Sequence, residues 1–181
     1  MKKTIRLSLL ATAVIVLASG FALHASLTAS AAPAQSARGA AGSPADGRLH
    51  ATFTDSAVSH TRGQRMVELI LTGTGTVQGF GAATDVVGVV EDFAASPCGP
   101  GGASNSSQDR IAVHGGVLEL STTGMYCVTA SGPQVTGTYR VDGQASTGTF
   151  AGAHGTGHVT VDVATGQDTL SGTLILAEPG T

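Results

Sequence analysis

The chain has 181 residues, with 12 Asp and Glu against 9 Lys and Arg, 26 glycines, two cysteines and no tryptophan. Three of the basic residues, Lys2, Lys3 and Arg6, precede an apolar run from Leu7 to Leu17 and small residues around Ala29-Ser30-Ala31, the order of a secretory signal peptide over 1–31. Its removal takes the formal charge from −3 to −6 and leaves no lysine, which excludes the basic surface that a nucleic-acid partner requires.

The apolar run is too short for a membrane span, and no later segment offers the roughly 20 apolar residues that a helical span needs. The mature chain is therefore expected to have no transmembrane segment and to be secreted by bacterial-type export. No cysteine lies near the cleavage region, so free release or wall association is expected rather than a lipid anchor. Residues 32–47, rich in Ala, Gly, Ser and Pro, carry too few large apolar side chains to offset their ordering entropy and read as a flexible lead. One domain over 48–178 follows.

From Arg48 onward the period is two. Leu49, Ala51 and Phe53 alternate with polar residues, and Val67, Leu69 and Leu71 follow the same rule. After them come the run Val86-Val87-Gly88-Val89-Val90, then the pairs Ile111/Val113, Leu118/Leu120, Tyr126/Val128 and Tyr139/Val141. Val159, Val161 and Val163 continue the rhythm, and Leu170, Leu174 and Leu176 end it. These read as strands. Turn signals separate them at Gly115-Gly116, Thr123-Gly124, Ser131-Gly132-Pro133, Asp142-Gly143 and Thr165-Gly166-Gln167-Asp168, and connections this short imply antiparallel neighbours. The glycine-rich pieces Thr72-Gly73-Thr74-Gly75-Thr76 and Gly79-Phe80-Gly81 read as turns and bends. Of the 26 glycines, 25 follow the leader, and each would cost about 1 kcal/mol inside a helix. The expected fold is all-β, an antiparallel sheet closed into a barrel to hide its edges.

The tract from Gly143 to Gly157, with Gly148, Phe150, Gly152, Gly155 and Gly157 around one aromatic, resembles a recurring segment of the allene oxide cyclase and dirigent barrel superfamily, which includes uncharacterised secreted bacterial proteins. The resemblance implies about eight strands. It also implies a barrel that shapes a bound substrate, as the cyclases do with a reactive fatty-acid epoxide and dirigent proteins with phenoxy radicals. No catalytic residue carries over, because the matched positions serve backbone geometry and packing.

Cys98 and Cys127 are the only cysteines, and in an exported domain a disulfide is the expected pairing. No Cys-x-x-Cys motif supports the competing reading of thiol chemistry. The bridge would tether a long loop from Ala94 to Asp109, as a strap or as a cover for one mouth of the barrel.

Five histidines follow the leader: His50, His60, His114, His154 and His158. His154 and His158 would stand about 13 Å apart along a regular strand, so no metal site and no cofactor are expected. Among the carboxylates, Glu91-Asp92 ends an apolar run, so one of the two would face a barrel interior. Glu68 and Glu119 sit among apolar neighbours and would act as acids or bases only if enclosed. Asp109-Arg110 reads as a strand-entry pair. The functional expectation is a secreted barrel binding a small apolar ligand. The alternatives are a cyclase-like or dirigent-like enzyme acting on a small apolar substrate, or a noncatalytic envelope-associated structural protein.

Overall fold

Nine strands succeed one another in the computed structural model, which describes residues 47–94, 96 and 98–178. The expected leader over 1–31, and the expected lead over 32–47 except Gly47, lie outside the described residues. In order the strands are β1 (Arg48–Arg62), β2 (Met66–Val77), β3 (Gly81–Asp92), β4 (Ala103–Val113), β5 (Gly116–Thr129), β6 (Gly132–Val141), β7 (Thr147–Gly148), β8 (Thr156–Asp162) and β9 (Gln167–Thr173). Every pairing is antiparallel, and β9 returns to pair with β1. Eight strands thereby close a barrel in meander order, with the two-residue β7 added beside β5. Closure pairs the ladder groups that an open sheet would leave at its edges. Among the described residues there is no helix long and apolar enough to cross a membrane.

The period-two alternation fills one half of this barrel with apolar side chains. Leu49, Phe53, Ile111, Leu118, Leu120 and Leu170 are buried there, none more than 2% exposed. The segment joining β6 to β8 folds over that end. Its Phe150 is fully buried and lies 4.8 Å, ring to ring, from Phe80 in the turn between β2 and β3. Burying such a ring stabilises the fold by about 1.5–3 kcal/mol. Most of the glycine-spaced tract around Phe150 is thus a looped cover. Gly148 and Gly152 take positive φ, +62° and +74°, where a Cβ would be strained.

Three sequence expectations need correction. The long loop ends at Gly102, because β4 begins at Ala103. The inward row of β4 is Asn105, Ser107 and Asp109, so hydropathy shows no alternation to mark the strand. Thr72-Gly73-Thr74-Gly75-Thr76 lies within the second half of β2, and Thr123-Gly124 lies inside a continuous β5. In both cases glycines inside a tightly coiled sheet mimic turn chemistry.

The expected disulfide is present, with Cys98 and Cys127 bonded and their Cα atoms 5.7 Å apart. It ties the loop between β3 and β4 to β5 at the end of the barrel opposite the Phe150 cover. Beside it, Phe93 meets Tyr126 edge to face at 6.2 Å.

Candidate functional site: a carboxyl floor beneath an open lumen

On four strands the first inward residue past the apolar core is an aspartate. Phe53 is followed by Asp55 on β1, and Ala83 by Asp85 on β3. On β4 and β9, which run the other way, Asp109 precedes Ile111 and Asp168 precedes Leu170. Four carboxyls therefore stand at one level, where the packed half of the barrel ends. Beyond them the lumen opens into a cavity of about 230 Å³, walled by Leu69 and Leu71 of β2, Val87 and Val89 of β3, Val135 of β6 and Val161 of β8. Asp55, Asp109 and Asp168 face this space, and Asp85 lies behind them against the core.

Register brings the carboxyls together. Gly73 on β2 pairs with Asp55 on one side and with Asp85 on the other. Having no side chain, Gly73 leaves vacant the inward space that the Asp55 carboxyl occupies, where a Cβ would collide with it. Carboxyl oxygens of Asp55, Asp85 and Asp168 come within 4.8 Å of one another. We predict that Gly73→Ala drives the Asp55 side chain out of this space and destabilises the protein by about 1–3 kcal/mol, the usual range for overpacking. A urea midpoint indistinguishable from wild type would show that Asp55 has no fixed place there.

Burial decides the electrostatics. Asp85 is 1% exposed and its pKa is pushed up to about 8, first by desolvation and then by the negative charges of Asp109, Asp55 and Asp168; the nearby Val86 N–H offsets this only in part. Desolvation, followed by Asp109 and Asp55, raises Asp168 to about 7. Asp55 rises to about 6 through burial and Asp109. Asp109 is itself raised by burial, but the hydroxyls of Ser107 and Thr122 donate to its two oxygens at 2.7 and 3.0 Å and hold it down in part. Among the described residues, no donor reaches good hydrogen-bond geometry with Asp55 Oδ1, Asp168 Oδ1 or either oxygen of Asp85. A floor of this kind holds protons near neutral pH and can donate or accept them.

The carboxylates singled out from sequence fare differently. Glu91 faces the lumen, is buried, and is raised by desolvation against a hydrogen bond from Asn105. Glu68 points outward into solvent. Glu119, on the outer face of β5, accepts a 2.7 Å charged hydrogen bond from Arg110; burial raises it and the guanidinium opposes the rise. Asp109, read as a strand-entry residue, is in the middle of the lumen. Asp168, read as part of a turn, is on β9 facing inward.

The five histidines are all exposed. Among the described residues, the side chains with metal-ligating atoms that gather closely are Asp55, Asp85 and Asp168. Sequence reasoning missed these three as a group, although period two from the core residues Phe53, Ala83 and Leu170 points each of them inward. No protein-family model, curated protein or solved structure matches this chain.

Proposed function

We propose that this barrel holds a small, largely apolar molecule in the open half of its lumen. The observation that carries the reading is the cavity of about 230 Å³ walled by leucines and valines. A barrel of eight strands has room either to fill its interior with side chains or to hold one small ligand, and this one divides its length between the two. A structural role in the envelope would call for no such cavity. The test is native mass spectrometry of the oxidised protein, with solvent extraction and a thermal-shift screen of small lipids. Absence of any co-purifying mass together with no shift from any lipid would overturn the reading.

The carboxyl floor favours a second reading, an acid–base enzyme acting on a small apolar substrate in the manner that the likeness to allene oxide cyclases and dirigent proteins implies. Asp168 and Asp55 line the lumen with pKa values near the working range of a general acid or base. On that reading Asp168→Asn abolishes turnover of a bound lumen ligand while binding persists. Turnover at the wild-type rate in this variant would exclude Asp168 from the chemistry.

We also infer export. The disulfide and the charged-then-apolar N-terminus support it. N-terminal sequencing of protein recovered from the medium is expected to begin at Ala32. Intact chains starting at Met1 and held in the cytoplasm would count against it.

A further inference from the structure

We propose that the lumen recognises an organic ammonium ion, with a protonated primary amine seated among Asp55, Asp85 and Asp168 and an apolar body lying against Leu71, Val87 and Val161. The inference rests on the reading of the lumen as a ligand pocket and names the class of ligand.

The four aspartates of the floor are not equivalent. Asp109 has a hydroxyl donor on each oxygen, from Ser107 and Thr122. Among the described residues the other three are left with unpaired acceptors, and at Asp85, 1% exposed, the nearby Val86 N–H does not reach good hydrogen-bond geometry with either oxygen. Buried acceptors without donors are costly, and no described residue supplies a cation to meet them. No described arginine lines the lumen, and the only lysines of the chain are Lys2 and Lys3. Once the floor's own protons have left, above about pH 8, the partner it lacks is a donor that carries positive charge.

Geometry narrows it further. An alkylammonium has three N–H donors, matching three carboxyls with open positions. With charged N–H···O distances of about 2.8 Å in tetrahedral directions, the three acceptor oxygens stand about 4.6 Å apart. One carboxyl oxygen from each of Asp55, Asp85 and Asp168 lies within 4.8 Å of the other two, close enough for a single ammonium to reach all three. A calcium ion takes six to eight oxygen ligands, and it would leave the leucine and valine wall without an occupant. An amine with an apolar tail satisfies the floor and the wall together.

The probes are n-hexylamine, n-hexanol and calcium chloride, titrated calorimetrically at pH 8.5 into the full oxidised protein and into Asp85→Asn and Asp168→Asn. The amine is expected to bind wild type about 10- to 100-fold more tightly than the alcohol, the range set by charge-assisted hydrogen bonds to buried acceptors. Either substitution is expected to bring the amine down to the affinity of the alcohol. The alcohol itself should change by no more than about 2-fold, which also verifies that the variant folds.

Equal binding of amine and alcohol by wild type would overturn the ammonium inference and leave the apolar-ligand reading standing. Binding of neither would overturn the inference and count against that reading as well. Calcium binding that excludes the amine would overturn the inference in favour of a metal site.

Discussion

Raising the pH from 5 to 8.5 will lower the thermal midpoint of the ligand-free protein by on the order of 10 °C, and Asp85→Asn will remove much of that fall. The direction follows from the lumen carboxyls. Asp85, Asp168 and Asp55 have folded pKa values of about 8, 7 and 6, and burial raises Asp109 and Glu91 as well. In the unfolded chain the same groups lose their protons near pH 4. Between about pH 4 and pH 8 the folded protein therefore binds more protons than the unfolded chain. Stability is highest at the acid end of this window, falls as pH rises through the folded values, and levels off above about pH 8.

The shift of Asp85 alone corresponds to on the order of 5 kcal/mol. The four aspartates share one field, so the cluster titrates together rather than as a sum of independent groups. The inward residues of β2, β5, β6 and β8 at this level and above it, Gly73, Thr122, Val135 and Val161, bring no charge to oppose them. Calorimetry across this range gives the check. A midpoint that stays level or climbs between pH 5 and 8.5 would mean that the floor is already ionised and compensated.

Cys127→Ser will lower stability by roughly 2–5 kcal/mol, the range for loss of a native bridge in a small disulfide-bonded domain. The bridge spans 29 residues of sequence, and in the chain-entropy account a loop of that size contributes about 3–4 kcal/mol by restricting the unfolded ensemble. Urea unfolding of the variant measures the loss. Thiol labelling of unfolded, nonreduced wild type should find no free cysteine, and labelling at both positions would refute the bridge. No described residue of the tethered loop lines the cavity, which favours the strap over the cover. The variant should therefore keep its affinity for a lumen ligand under conditions where it stays folded.

The barrel was legible in the sequence wherever the inward row is apolar. Leu49-Ala51-Phe53 and Leu118-Leu120 announce both the strand and its buried face, because solvent and core demand opposite chemistries on alternate residues. On β4 that contrast vanishes. Asn105, Ser107 and Asp109 face a polar part of the lumen while Ser106, Gln108 and Arg110 face water, so nothing in hydropathy separates the two sides.

The candidate site was hidden for a related reason. An aspartate beside Gly166-Gln167 carries the chemistry of a turn, and only its place two residues before Leu170 indicates that Asp168 points inward. Asp55 and Asp85 could have been read in the same way, from Phe53 and Ala83. Their convergence depends on β1 and β3 both pairing with β2 at Gly73, and register of that kind is a property of three strands that no one of them encodes.

The boundary at which the aspartates stand also separates two kinds of mutational freedom. Below it, Leu118, Leu120 and Phe150 close-pack, and a change of one methylene is felt by every neighbour. Above it, Leu69, Val87, Val135 and Val161 border space, and changes in their size or polarity meet no packed partner across the lumen. The lining of the open half can therefore drift in evolution, or be rewritten by design, while the packed half stays untouched.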